Sequence, residues 1–224
     1  AYRGAYAPLL CSYWGESQGH STTSVQAHVV SDLLTLASLH TFKDRKEFSF
    51  MNKLKKYILS GIIFVSVFGT LAHFVYEWSG KNPVIGLFFP VNESTWEHIK
   101  LLFFPMLVYL FYMQRKLKPH YPNILPSLFC GLLLGCILIP VLFYTYSGIL
   151  GRTVIWVDIA IFYISVLTAF FFIYRQNRPK AEHFFCSPHH SKKAGLYCLV
   201  LLFAIAFFVF TFLPPDIGIF HSPV

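Results

Sequence analysis

Apolar residues occur along this chain in five runs that polar and charged segments separate. The runs cover residues 57–78, 101–113, 124–150, 153–174 and 194–213. A helix needs about 20 mostly apolar residues to cross a bilayer, and every run except the second reaches that length. A helix of a soluble protein seldom stays apolar on every face over such a distance. The pattern therefore predicts an all-α membrane helical bundle of about five transmembrane helices.

The second run is short, but the residues before it predict that its helix begins earlier. Ser94 and Glu97 have the spacing of a capping box, in which each side chain satisfies a backbone N–H of the first turn. Asn92 is a competing N-cap. A helix that begins at 92–94 reaches Met113 in about 20 residues and can cross the bilayer. The predicted helices are therefore near 57–78, 93–115, 124–149, 153–175 and 194–213.

The loop between the first two predicted helices, residues 79–91, contains repeated helix breakers. Two glycines and two prolines interrupt it, so we expect no crossing there. Its apolar part, "VIGLFF" at 84–89, is predicted to lie in the membrane interface or to fold back over the bundle. Irregular backbone at that depth needs protein or water around it, so this segment could cover a polar site.

Composition and charge agree with a membrane protein. The chain is 55% hydrophobic and 12% charged, whereas a soluble domain carries about a quarter charged residues. Its net charge of +8 comes from short basic clusters between the apolar runs, not from a basic face with aromatic residues as in a nucleic-acid-binding domain. We therefore expect the lipid bilayer as partner and no nucleic acid. If the protein transports a solute, so few helices favour a homo-oligomer.

The basic residues also predict an orientation. Eleven of them fall on one side of the predicted helices: Lys53, Lys55, Lys56, Arg115, Lys116, Lys118, Arg175, Arg178, Lys180, Lys192 and Lys193. The other side has Lys81, Lys100 and Arg152. Because cytoplasmic loops carry the excess of lysine and arginine, the N-terminus is predicted inside and the C-terminus outside.

With this topology, ionisable residues converge on the outer leaflet. Intramembrane charges are costly and usually face the bundle interior or a water-filled cavity, so we expect them to form one cluster. Its predicted members are His73, Glu77, Glu93, Glu97, His98, Lys100 and Asp158.

The chemistry of this cluster leaves three interpretations open. Imidazoles and carboxylates together bind zinc, iron or manganese, and a metal is best placed on His73, Glu93 and His98, with Glu97 or Asp158 orienting them. A hydrogen-bonded network with Lys100 paired to Glu93 or Asp158 is a structural alternative. A proton path or a site for another polar ligand is the third. No HExxH motif is present, and no catalytic residue is assigned.

Two stretches resemble a known family. "HFVYEWSGKNPVIGLFFPVNESTWEHIKLLFFPM" at 73–106 and "PPDIGIFHSPV" at 214–224 are similar to an uncharacterised family of bacterial multi-pass membrane proteins, a domain of unknown function. The resemblance implies an integral protein of the bacterial cytoplasmic membrane and implies no reaction. The ionisable cluster in the outer leaflet, rather than the resemblance, predicts the function, which is binding of a cation, metal or small polar ligand. An intramembrane metal-dependent hydrolase and a structural or partner-binding protein remain alternatives, so enzyme status stays open.

The resemblance also bears on the ends of the chain. Chains of that family begin close to Met51 and run beyond residue 224, so we expect a transmembrane domain at 51–224 and a native C-terminus further on. Residues 1–50 are predicted to be an N-terminal extension, non-native or without a fold of its own. Within it, apolar residues at helical spacing over 24–42 predict a short amphipathic helix.

Overall fold

A computed structural model describes residues 22–119, 121, 124–178 and 190–222. All regular structure in these residues is helical. The α-helices are α1 Thr22–Trp78, α2 Pro83–Gly86, α3 Thr95–Leu117, α4 Ile124–Leu150, α5 Ile155–Gln176 and α6 His190–Phe212, followed by a 3-10 turn at Gly218–Phe220. The all-α prediction is confirmed, and most predicted helix ends lie within a few residues of those observed. The exception is α1, which begins well before the predicted start.

In the part of the chain that the structure describes, four helical segments are long and apolar enough to cross a membrane. They are Phe48–Trp78 within α1, the whole of α4 and α5, and Ala194–Phe212 within α6. The second predicted span, α3, is not among them, although it has 23 residues. The number of spans and the orientation therefore stay predictions.

The position of α3 explains why its sequence is more polar. Its residues Leu102, Phe103, Met106 and Leu110 are fully buried, and they belong to the main hydrophobic cluster together with residues of every other long helix. A helix that other helices surround exposes little surface to lipid, so its polar residues can find protein partners instead. In all, 12 of the 23 residues of α3 are buried.

The chain divides into two compact units, residues 1–46 and 47–224. In the first unit, the described residues are the helical stretch 22–46 of α1, which includes the whole segment 24–42 that was predicted as a short amphipathic helix. The predicted division at residues 50 and 51 and the non-native origin of the extension stay predictions.

In the second unit, polar contacts bring the ends of the long helices together at one end of the bundle. His73 near the end of α1 lies beside His98 at the start of α3, and Lys100 of α3 reaches Thr211 at the end of α6. The connection between α4 and α5 lies at this same end, because Asp158 near the start of α5 interacts electrostatically with His98. Three tryptophans lie at these helix ends: Trp78, Trp96 and Trp156. We call this the tryptophan end, and rings of this type are enriched at membrane interfaces.

Candidate metal centre

Two histidines and one glutamate meet at the tryptophan end. His73 Nε2 lies 3.6 Å from Glu93 Oε1, and His98 Nε2 lies 3.4 Å from Glu93 Oε2. One ligand atom from each residue falls within 4.8 Å of the others. A tetrahedral zinc site with bonds of about 2.0–2.1 Å places its ligand atoms roughly 3.3 Å apart. Small side-chain rotations are therefore enough to close these three residues around an ion. We call them the triad.

The start of α3 positions His98 and Glu93. Ser94 is the N-cap, and its hydroxyl accepts a hydrogen bond from the Glu97 N–H at 3.3 Å. The Ser94 N–H donates to Asn92 Oδ1 at 2.9 Å. Half of the predicted capping box is therefore present, and Asn92 rather than Glu97 supplies the other acceptor. This tight turn holds Glu93 directly beside the first turn of α3.

A backbone carbonyl determines the proton position on His98. Its Nδ1 lies 2.9 Å from the carbonyl oxygen of Ser94, which can only accept a hydrogen bond. The ring therefore donates from Nδ1, and Nε2 points to Glu93. This arrangement is typical of metal-binding histidines, in which the second ring nitrogen donates to a carbonyl or carboxylate.

A glycine allows α1 to approach α3 closely enough to bring in His73. A Cβ added at Gly69, one turn before His73, would lie 2.5 Å from the Phe162 ring and 2.7 Å from the carbonyl oxygen of Leu101. Such distances leave no room for a side chain. With glycine there, the His73 and His98 rings lie 5.5 Å apart between centroids.

The side chains of the triad are partly exposed. The side chains of His73 and His98 are each 33% exposed, and that of Glu93 is 65% exposed. The hydrogen bond from His98 holds the pKa of the Glu93 carboxyl below its usual value, and the charges of both imidazoles add to this effect, while partial burial opposes it. Three protein ligands leave at least one coordination position for water or another ligand.

A second polar group, the ion pair of Glu97 and Lys100, is buried beside the triad. Lys100 is fully buried, and its ammonium donates to Glu97 Oε2 at 2.7 Å, to the Gly86 carbonyl oxygen at 3.1 Å and to Thr211 Oγ1 at 2.6 Å. The predicted pairing of Lys100 with Glu93 or Asp158 is wrong. All three N–H bonds of the Lys100 ammonium have acceptors, so the ammonium has no donor left for a further ligand. We call such a fully hydrogen-bonded group closed.

The apolar segment before α3 folds over this ion pair. The Gly86 carbonyl accepts from Lys100, and the Val91 N–H donates to Glu97 Oε2 at 3.0 Å. Between them, Phe88 packs edge-on against Phe104 of α3 at 5.3 Å and Phe208 of α6 at 5.4 Å. The segment predicted to fold back over the bundle thus packs on α3 and α6 and covers the pair. Its apolar sequence was the signal for this placement.

The two remaining predicted cluster residues form their hydrogen bond or ion pair with residues outside the triad. Glu77 is exposed and pairs with Lys81 at 3.6 Å. Asp158 accepts a hydrogen bond from the Tyr146 hydroxyl, which itself accepts from the Val154 N–H at 3.1 Å. Asp158 also interacts electrostatically with His98. Sequence reasoning missed Tyr146, since nothing in the sequence marked it as the partner of Asp158.

No curated protein and no solved structure matches the chain. A family model does match, over residues 46–224, and its description is a family of unknown function. The match begins one residue before the compact second unit and covers most of the chain. The predicted membership of a family of unknown function is therefore confirmed. The chain belongs to the DUF6512 family.

Proposed function

We propose that this protein is an integral protein of the bacterial cytoplasmic membrane that binds a divalent metal ion through the triad. One observation carries the proposal: ligand atoms of His73, Glu93 and His98 lie within 4.8 Å of one another at the tryptophan end. The hydrogen bond of His98 to a carbonyl supports it, because that bond leaves Nε2 free to bind a metal.

Zinc is the ion that fits this ligand set best. Two imidazole nitrogens and one carboxylate form a common catalytic zinc set, whereas magnesium and calcium prefer oxygen ligands throughout. Iron(II) also binds two histidines and a carboxylate, on one face of an octahedron. Asp158 lies close enough to interact with His98, so its negative charge favours a cation there.

An intramembrane metal-dependent hydrolase is the second candidate. Three protein ligands leave room for a bound water, and zinc lowers the pKa of such a water to about 7. The exposure of the Glu93 side chain supports this candidate, because it leaves room for a water molecule beside the triad. The structural interpretation fits the buried pair of Glu97 and Lys100 instead, so the two interpretations concern different residues.

Zinc binding to the detergent-purified protein tests the proposal. Stoichiometry is measured by elemental mass spectrometry, and affinity by calorimetry. We expect one zinc ion per chain. His73→Ala, Glu93→Ala and His98→Ala should each weaken binding by at least about 100-fold, because loss of an outer-shell partner alone costs up to that factor.

The matched control is His221→Ala. His221 is also an exposed histidine beside a carboxylate, at 2.8 Å from Asp216, but it is not a member of the triad. Its variant should bind zinc like the wild type. Unchanged binding in all three triad variants, or no binding by the wild type, would contradict the proposal.

A further inference from the structure

The charge of the metal-loaded triad determines which ligand it takes next. A divalent ion, the Glu93 carboxylate and two neutral imidazoles sum to one positive charge. A bound metal is often the largest local charge in a site, so the open coordination position favours an anion. The exposure of the triad leaves that position accessible from outside the bundle.

The triad lies near the depth of lipid headgroups. His73 precedes the end of α1 by five residues, which is roughly 7.5 Å at a rise of 1.5 Å per residue. His98 lies in the first turn of α3. Two tryptophans of this end, Trp78 and Trp156, are 70% and 80% exposed, as expected of rings at the membrane–water interface. The anions that are most abundant at this depth are lipid phosphates.

An exposed aromatic surface adjoins the triad on α1. The Phe74 ring meets the His73 ring edge-on at 5.3 Å, and Trp78 stacks on Phe74 at 5.8 Å between centroids. Trp78 is largely exposed, and Phe74 is about half exposed. A ligand bound at the triad therefore has an apolar surface directly beside it, which suits an amphiphile and gives no advantage to a small free anion.

We propose that the metal at the triad binds a phosphate oxygen of a phospholipid, whose acyl chain packs along Phe74 and Trp78. The proposal rests on the proposed metal binding. It assigns a ligand class, phosphate lipids, and it requires that the phosphate and the chain both contribute to affinity. The two requirements are separable, because one depends on the metal and the other on the α1 aromatic surface.

Cobalt(II) serves as the probe, because its visible spectrum reports a change of ligand. Detergent-purified protein is loaded with cobalt and titrated with lysophosphatidic acid, with glycerol 3-phosphate, and with a monoacylglycerol of the same chain length. We expect lysophosphatidic acid to change the cobalt spectrum and to bind at least about tenfold more tightly than glycerol 3-phosphate, since it also buries apolar surface. The monoacylglycerol should leave the spectrum unchanged.

A variant pair tests the aromatic surface. Trp78→Ala should lower the affinity for lysophosphatidic acid several-fold without changing cobalt affinity. Trp156→Ala removes an equally exposed tryptophan at the start of α5, which is not part of this surface, and should change neither. Equal effects of the two variants on lipid affinity would overturn the assignment of the acyl chain to α1.

The outcomes distinguish this inference from the proposed function. Failure of the wild type to bind cobalt overturns metal binding and the inference together. Cobalt binding with a spectrum that lysophosphatidic acid does not change overturns the inference alone. Equal affinity for glycerol 3-phosphate shows a site for free phosphate and also overturns it, as does a spectral change with the monoacylglycerol.

Discussion

The triad and the buried ion pair occupy the same end of the bundle, but they differ in burial and in hydrogen bonding. Glu93 and His98 alternate in sequence with Glu97 and Lys100. The pair is almost completely buried, whereas Glu93 is the most exposed member of the triad. Each N–H of the Lys100 ammonium has an acceptor. The Nε2 atoms of the triad histidines, by contrast, have the Glu93 carboxylate at 3.4–3.6 Å as their one polar neighbour among the described residues.

The difference follows from the period of α3. Residues three or four apart lie on one helical face, so Glu97 and Lys100 point together, towards α6 and the covering segment. His98 is one residue further around the helix and points to α1. Adjacent residues of α3 thus belong to groups with different roles. The ion pair of Glu97 and Lys100 is buried in the packing of the bundle, whereas the triad has exposed side chains that can bind a ligand.

Lys100→Met should have the largest effect on stability, because it leaves the Glu97 carboxylate buried without its partner. Breaking a buried ion pair from one side costs about 3–5 kcal/mol, whereas replacing both partners by apolar residues is often neutral. The double variant Lys100→Met with Glu97→Leu should therefore recover much of the loss. Unfolding in detergent, followed by circular dichroism, measures both.

The control for this prediction is Lys81→Met. Lys81 also pairs with a glutamate, Glu77, but both side chains are exposed. Exposed pairs contribute about 0–1 kcal/mol, so this variant should stay close to the wild type. Equal losses for the Lys81 and Lys100 variants would contradict the distinction between closed and open groups.

Zinc should stabilise the protein through the triad alone. A ligand that binds only the folded state at 100 times its Kd adds about 2.7 kcal/mol. The shift in unfolding midpoint on adding zinc should disappear in His98→Ala and persist in Glu77→Gln, which changes a carboxylate that pairs elsewhere. A zinc shift that survives His98→Ala would place the metal outside the triad.

Gly69→Ala should affect both stability and metal binding, to a smaller extent. The added Cβ would meet the Leu101 carbonyl at 2.7 Å, so α1 and α3 must separate. Overpacking of this kind costs about 1–3 kcal/mol, and it moves His73 away from His98. Zinc affinity should fall together with stability.

Gly148→Ala is the matched control, since a Cβ at this helical glycine meets nothing within 4 Å. It should leave zinc affinity unchanged. If both glycine variants bind zinc equally, the close approach at Gly69 does not position the triad. Calorimetry with the purified variants decides this.

The helices were predictable because their signals are local. Apolar runs and the N-cap at Ser94 depend on residues that are near in sequence, and α3 begins directly after Ser94. The partners of Lys100 were not predictable in this way. Thr211 lies 111 residues away along the chain, and its contact depends on the rotation of α3 against α6. The same holds for Tyr146, which reaches Asp158 across the α4–α5 turn.

The start of α1 shows that hydrophobicity does not predict every helix end. The apolar pattern predicted a helix from residue 57, where the membrane-like composition begins, but α1 starts at Thr22. Helical backbone can continue through polar residues, and hydrophobicity does not mark that boundary. Polarity in turn kept α3 out of the segments that are apolar enough to cross, although it is the most buried helix. Composition describes the surroundings of a helix better than its extent.

The smallest expected effect is a pH dependence of the metal-free triad. The hydrogen bond from His98 lowers the pKa of Glu93 in the folded protein. A carboxyl with a lowered folded pKa contributes stability that is fully present above its unfolded pKa, about 4.3, and that is lost as the pH falls through the folded value. Because the side chain is 65% exposed, the contribution should stay below about 1 kcal/mol.

Comparison of the wild type with Glu93→Gln isolates this contribution. The facing groups are His73 of α1 and His98 of α3, with Asp158 of α5 acting on His98. The stability difference between wild type and variant should therefore be positive near pH 5 and should shrink towards zero as the pH falls below about 4. Unfolding midpoints in chelator across this range measure it, and in a His98→Ala background most of the difference should vanish. A difference that grows on acidification would show that Glu93 is not paired as a carboxylate, and the triad would then lack the negative charge on which its affinity for a cation depends.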